Sequence, residues 1–298
     1  MAQFLISAFA DETSDDLAHQ IDALKRNGLR CIEPRNVNGN IVKKTDEELE
    51  EIAKQLREAG ISVPSLGSPI GKFKIDEDFE IHLADFRRAL RACKILGTKR
   101  MRMFSFFVPQ ERLAECRDEV IRRMKVLLEM AKEEGITLCH ENESNIYGQN
   151  PTEVRDLLTT LPELRGIFDA ANYVREGQDP IKGIEVTLPS LEYLHIKDAR
   201  LEDGAIVPCG MGDGQYPEVL RRVDELTDGV VILTVEPHLH IFQAYQKIDS
   251  HKLKTGIEFD NSDDAFDCAV TKLREPLKID SRIKILRFEC EILRKLSV

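Results

Sequence analysis

Four times in the first half of the chain an amphipathic helical stretch closes on a glycine and passes at once into an apolar run. The glycines are Gly28, Gly60, Gly97 and Gly135, spaced 32, 37 and 38 residues apart. Each stands where a helix C-cap takes a left-handed conformation, which glycine adopts without a Cβ penalty. The runs that follow are "LRCIEP", "ISVPSL", "TKRMRMFSFF" and "ITLCHE", and with "FLISAF" ahead of the first helix they make five strands. Helix followed by strand at this period is the rhythm of a parallel α/β fold, because parallel neighbours need a crossover helix between them.

The helices between these strands carry their own signals. In "TDEELEEIAKQLREAG", Thr45 and Glu48 form a capping box, and Leu49, Ile52, Ala53 and Leu56 make one apolar face. The second half continues with "LRGIFDA", "LEYLHIKD" and "GVVILTVEP" as strands and with helices expected near 151–160, 179–187 and 217–227. Eight strand-helix units fit a closed (β/α)8 TIM barrel, which takes about 250 residues. A doubly wound sheet is the competing α/β architecture, but no GxGxxG follows the first strand. The run "GMGDGQ" lies late and has Gln215 at the third glycine position. "GSPIGKF" is one residue short of a phosphate loop and has Phe73 where a Ser or Thr would ligate the metal.

Residues 239–298 exceed what eight units need, so a single barrel domain over 1–298 is expected to carry a C-terminal helical extension. Two helices are read there, over 263–277 and 282–296. The second places Ile283, Leu286, Phe288, Ile292, Leu293 and Leu296 on an apolar face that would pack on the barrel or meet a second subunit, giving a homo-oligomer.

Composition narrows the partners. Hydrophobic residues make up 42% and charged residues 32%, enough for a sizeable core. A net charge of −11 argues against a general nucleic-acid surface, which needs clustered Lys and Arg to displace phosphate counterions. The opening "MAQFLISAFADE" lacks a basic leader and no apolar run reaches membrane-spanning length, so no membrane association and a cytoplasmic location are expected. The seven cysteines are scattered without a CxxC pair, and reduced, mostly buried thiols are expected.

In a barrel of this kind the chemistry comes from the C-terminal ends of strands. The fifth expected strand ends in Glu141, the sixth in Asp169, the seventh in His195 and the eighth in Glu236. Side chains alternate along a strand, so Glu141 shares a face with Thr137 and Cys139, His195 with Tyr193 and Lys197, and Glu236 with Ile232 and Thr234. Three carboxylates brought this close repel one another, and some take up protons unless a cation intervenes. A divalent ion removes the conflict. Carboxylate oxygens with one imidazole suit Mn²⁺ or Mg²⁺, with Co²⁺ or Zn²⁺ possible. Open coordination positions would take two oxygens of a hydroxy-ketone and polarise its carbonyl. Glu143 faces the same way as Glu141 and would replace it as ligand if the strand ran two residues further.

The pieces "HENESNIYG", "FDAANYVREGQDP", "LHIKDAR", "DGAIVPCGMGDGQ" and "VEPHL" resemble the xylose-isomerase-like sugar phosphate isomerase/epimerase family, which includes D-tagatose 3-epimerase-like enzymes and inosose dehydratases. "FADETSDDLAHQIDALKRNGLRCIEPR" and "SLGSPIGK" extend the resemblance to the first three strands, over roughly residues 4–275. It implies a TIM barrel with a metal held by Glu141, Asp169, His195 and Glu236. In the epimerase branch it also implies that Glu141 and Glu236 are the catalytic acid/base pair. A metal-polarised carbonyl acidifies the adjacent C–H, and a carboxylate is a suitable acceptor for that proton. The "IKD" after His195 is closer to the isomerase and dehydratase members.

Further residues are candidates for substrate binding. Lys197 would stabilise a developing oxyanion or bind a phosphate, or else pair in solvent with Asp198 or Glu202. Lys72 and Arg102 would reach a substrate phosphate or else be surface charges, and Glu33 and Asn172 would hydrogen-bond sugar hydroxyls. The expected function is a metal-dependent isomerase or epimerase of a ketose or sugar phosphate. An inosose-type dehydratase and a non-catalytic sugar-binding protein are the alternatives. An apurinic endonuclease shares the barrel, but only seven histidines and the negative charge argue against its His-rich multi-zinc site.

Overall fold

The computed structural model describes residues 2–240, 254–279 and 284–285. Strand β1 (Ala2–Ala8) lies parallel to the last barrel strand (Gly229–Val235) in unbroken register from Ala2 opposite Gly229 to Ala8 opposite Val235. Between them in sequence come α1 (Leu17–Arg26), α2 (Asp46–Ala59), α3 (Phe79–Leu96), β2 (Arg100–Met103), α4 (Leu113–Glu133), β3 (Thr137–Glu141), α5 (Pro151–Thr160), β4 (Arg165–Asp169), α6 (Ala170–Arg175), α7 (Pro180–Thr187), β5 (Leu191–Ile196), a short hairpin of β6 (Asp198–Ala199) and β7 (Ile206–Val207), and α8 (Tyr216–Leu226). With the Gly229–Val235 strand as β8, the sheet order β2-β3-β4-β5-β8-β1 is parallel throughout.

The expected second and third strands, at 29–34 and 61–66, are reduced to isolated bridges, Cys31 to Ser62 and Leu66 to Met101. Pro34 and Pro64 sit in these segments, and a proline has no N–H to give a ladder. The two segments still close the barrel. Glu33 N donates to Ala8 O at 3.0 Å, Ile32 N to Ser62 O at 3.0 Å, Leu66 N to Arg100 O at 3.0 Å and Arg102 N to Leu66 O at 3.0 Å. The fold is therefore the expected TIM barrel.

The four repeat glycines all take the left-handed conformation, with φ of 66° at Gly28, 70° at Gly60, 73° at Gly97 and 68° at Gly135. The Thr45–Glu48 capping box is present in both directions.

The alternation of strand side chains separates two apolar layers. Leu5, Cys31, Cys139, Ile167, Tyr193 and Ile232 form a small cluster inside the barrel, while their neighbours Phe4, Leu138, Phe168, Leu194 and Leu233 join the larger core between strands and helices. Climbing two residues from that inner layer gives Ser7, Glu33, Glu141, Asp169, His195 and Thr234, all buried. One face of the barrel thus turns from apolar to ionisable within one step of the pleat.

Helix α9 (Ser262–Ile279) matches the first expected C-terminal helix and buries Phe266, Val270 and Leu273. It is tied to α1 by Arg26 with Asp263 and Asp267 and by Arg274 donating to Asn27 O at 2.6 Å. The expectation for 282–296 changes. Lys284–Ile285 form a strand, β9, parallel to Gln3–Phe4 of β1, and the other residues of that stretch lie outside the described ones. The reason is the edge left open there. Among the described residues the Glu33 segment bonds β1 at Ala8, and Gln3–Phe4 in the N-terminal half of β1 pair with a different strand.

Candidate metal centre

The four residues expected at the strand ends are brought together. Glu141, Asp169, His195 and Glu236 each offer a ligand atom, and these atoms lie within 4.8 Å of one another. All four side chains are buried, and Asp169 and His195 are fully so. Sheet register explains the convergence: Asp169 lies opposite His195 across β4 and β5, and Glu236 continues β8 with its N–H bonded to Ile196 O at 3.0 Å.

Local structure divides the work of each group. Asp169 is the N-cap of α6, so Oδ1 accepts from Asn172 N at 3.1 Å while Oδ2 stays directed at the cluster, 3.0 Å from Lys197 Nζ. His195 Nδ1 lies 3.0 Å from Glu141 Oε1 and 3.7 Å from Glu236 Oε2, and its Nε2 lies 3.4 Å from Glu33 Oε2. Glu236 Oε2 is 3.2 Å from Lys197 Nζ, and Oε1 is 2.9 Å from Arg35 Nη1. Asn142 fixes the Asp169 backbone from both sides, at 2.9 and 3.0 Å.

Charge follows from this packing. Burial raises the Glu141 carboxyl, but His195 and Arg102 outweigh it and hold the group down at about 2. Glu236 is likewise held well below the usual range, with burial opposed by Lys197, His238, His195 and Arg35. Asp169 goes the other way, to about 6, because burial and the neighbouring Glu141 and Glu236 prevail over Lys197. Burial would lower His195, yet Glu141 and Glu33 raise it to about 10. The cluster demands positive charge.

Two atoms test whether a divalent ion fits. Asp169 Oδ2 and His195 Nδ1 are buried and make no hydrogen bond, although each has an opposite charge 3.0 Å away, because the angles are wrong for one. Buried polar atoms rarely go without a partner. Both face the point where the carboxylates of Glu141 and Glu236 meet, and the donor set of carboxylate oxygens with one imidazole suits a divalent ion.

A cavity of about 220 Å³ opens onto the cluster, lined among others by Arg35, Lys72, Arg102, Glu141, Lys197 and Glu236. Lys197 is buried there, on Asp169 and Glu236, and not in solvent with Asp198 or Glu202. Lys72 pairs with Glu143 at 2.8 Å, and Glu143 lines the same cavity without joining the four-residue cluster. Asn172 is buried beside the cluster, 3.4 Å from Glu141 Oε1 and 2.8 Å from Asn142 O. Glu33 shares the cluster's layer but stands outside the cluster, on the Nε2 side of His195. It accepts from Tyr193 Oη at 2.8 Å and backs His195, and Tyr193 Oη meets Ser65 Oγ at 2.9 Å.

The structure adds residues that strand-end reasoning passed over. Arg35 joins Glu236 to Asp11 (2.9 Å) and Glu12 (3.4 Å). His238 places Nδ1 2.6 Å from Glu12 and Nε2 3.6 Å from Glu236, so Glu12, Glu236 and His238 form a second close trio. Arg35 lies two residues past Glu33 and His238 two past Glu236, both in loops beyond the strand ends, where alternation no longer sets a side chain's direction. The glycine run "GMGDGQ" also finds its reason. Asp198 accepts from the backbone N–H of Ala199, Gly210, Gly212 and Gly214, and a Cβ at Gly212 would stand 2.4 Å from Ala199 O.

The pattern of the xylose isomerase-like TIM barrel family matches residues 21–259, and the chain belongs to that family. No curated protein matches it. Among solved structures it is similar to the IOLI protein with a bound zinc atom, at 17% identity and a TM-score of 0.70 over 94% of this chain and 100% of that one. It is similar to a D-tagatose 3-epimerase-like protein at 15% identity, TM-score 0.67, over 93% and 97%. It is also similar to a xylose isomerase-like TIM barrel protein from Mycobacterium smegmatis in complex with magnesium, at 16% identity, TM-score 0.63, over 93% and 98%. At these identities the likeness establishes the shared barrel. Among the described residues no helix is long and apolar enough to cross a membrane.

Proposed function

We propose that the chain is a divalent-metal-dependent isomerase or epimerase of a ketose or sugar phosphate, acting in the cytoplasm. The observation that carries this reading is the convergence of four ligand atoms within 4.8 Å at the mouth of a closed barrel, two of them buried without a hydrogen bond. Glu141, Asp169, His195 and Glu236 would hold the ion, with Mn²⁺ or Mg²⁺ favoured by the oxygen-rich set and Co²⁺ or Zn²⁺ also accommodated. Its chemistry there is to polarise a carbonyl and acidify the neighbouring C–H.

The chain's own groups then move the proton. Glu141 and Glu236 are ionised at neutral pH and are therefore acceptors. They stand at the ends of β3 and β8, separated in the sheet by β4 and β5, and so reach a bound substrate from different sides. One carboxylate takes the proton beside the carbonyl; the other, after taking up a proton from water, returns it to the opposite face, and the first then releases its proton to solvent. Lys197, buried against Asp169 and Glu236, stabilises charge developing on the substrate oxygen. Asn172 orients Glu141, Glu33 steadies His195, and Lys72 meets the substrate at the rim.

Proton NMR of ketopentoses, ketohexoses, their phosphates and inososes in D₂O with Mg²⁺-loaded protein tests this. Deuterium is expected at the carbon beside the carbonyl with the wild type and not with Glu236→Gln. An ultraviolet-absorbing enone product would move the assignment to dehydration on the same site. No exchange by a metal-loaded protein across the panel would remove the acid/base role from the two glutamates.

A further inference from the structure

Beside the carboxylates the cavity carries a row of cations set on aromatic rings. The Arg35 guanidinium lies 4.6 Å from the centre of the Phe9 ring, and that of Arg102 lies 4.8 Å from Phe9 and 5.2 Å from Phe104. The Lys72 ammonium lies 4.4 Å from Phe104. All three cations line the cavity shared with Glu141 and Glu236, and both rings are fully buried. The backbone leaves room for this stack. A Cβ at Gly67 would stand 2.5 Å from Phe9 Cε1, and one at Gly71 would stand 1.9 Å from Phe104 O.

Arg102 differs from its neighbour in how it is held. It is 5% exposed, yet its bonds are long: 3.3 Å to Ser68 O, 3.3 Å to Glu141 Oε2 and 3.4 Å to Gly67 O, with Glu236 Oε1 at 3.7 Å. Arg35, by contrast, makes bonds of 2.9 Å to both Asp11 and Glu236. Burying a guanidinium is costly and is normally offset by short charge-assisted bonds. Arg102 is instead positioned by stacking. Its two carboxylate contacts, Glu141 and Glu236, are also two of the four proposed metal ligands, whose charge an ion would share. Nη1 and Nη2 each carry a second N–H besides the bonds given, and with an ion sharing the carboxylates' charge that planar pair is matched to an anion from outside the chain.

We propose that Arg102, flanked by Arg35 and Lys72, is an oxyanion-binding subsite, and that the substrate is an acidic hydroxy-ketone with a carboxylate or phosphate close to its reacting carbons. This rests on the metal-centre reading, since the hydroxy-ketone end is assigned to that centre. A neutral sugar would offer that fork no charge in place of the one the ion shares.

Calorimetric titration of the full chain with inorganic phosphate, glycerate and neutral dihydroxyacetone tests the subsite, with Mg²⁺ binding measured on the same samples. An anion is expected to bind at least about 10-fold more tightly than dihydroxyacetone, and Arg102→Gln should abolish that preference. Phosphate as the preferred anion would identify a phosphorylated substrate, and glycerate a carboxylated one. Equal binding of anion and neutral ligand, or a preference that survives in Arg102→Gln, would overturn the subsite. Mg²⁺ binding without anion preference would leave the metal centre standing, whereas anion preference without Mg²⁺ binding would remove the centre and keep the subsite. Should Arg102→Gln fail to fold by circular dichroism, wild-type crystals soaked in selenate decide. An anomalous peak on the Arg102 fork supports the proposal, and a fork without one refutes it.

Discussion

Asp198 gathers four backbone N–H groups, and the geometry explains why three of the donors are glycines. Gly212→Ala would press a methyl 2.4 Å from Ala199 O and 2.5 Å from Asp198 Oδ1, so a loss of about 1–3 kcal/mol is expected in urea unfolding. His82 makes a second prediction. Burial pushes its imidazole down to about 4, where it accepts from Gly71 N at 3.0 Å and stacks on Phe73 at 4.8 Å. The unfolded chain therefore binds the proton first, and stability is lost as pH falls from about 6.5 toward 4. That loss is at most about 3 kcal/mol. Unfolding free energies of wild type and His82→Gln, measured between pH 7 and pH 4.5, should differ in slope, the wild type being steeper. Parallel curves would mean that His82 is not the group responsible. Sequence reading reached the residues at strand ends because the pleat has a period of two. It did not reach Arg35 or His238 as cluster members, because what brings them in is loop geometry beyond the last strand residue.

At the scale of elements, the helix-glycine-strand cadence was legible because each C-cap has a local cause. The second and third strands were legible as extended segments but not as ladders. Pro34 and Pro64 remove donors, and pairing across the barrel is a tertiary fact. The stretch at 282–296 reads as a helix by its apolar face, yet Lys284–Ile285 are drawn to the open edge of β1, which no local pattern encodes. Helix α9 is predicted to be part of the cooperative unit and not an appendage. Phe266 is fully buried, so Phe266→Ala should cost about 3–5 kcal/mol in the same single transition as the barrel. A separate early transition in urea would show α9 to be independently stable or loosely attached.

For the whole molecule, the proposed metal centre at the barrel mouth would couple folding to ion binding. An ion that binds only the folded chain stabilises it by mass action, by about 2.7 kcal/mol at 100 times its dissociation constant. Excess Mn²⁺ should raise the melting temperature by several degrees, and EDTA should return it. The measurement that tests the account most directly is calorimetric titration of metal-stripped protein with Mn²⁺, beside His195→Gln and Asp169→Asn. One saturable site per chain is predicted, weakened by roughly 100-fold or more in each variant, since even residues behind a metal ligand are commonly worth 10–100-fold. No saturable site in the wild type, or the same affinity in both variants, would contradict the central claim that these four residues are a metal centre.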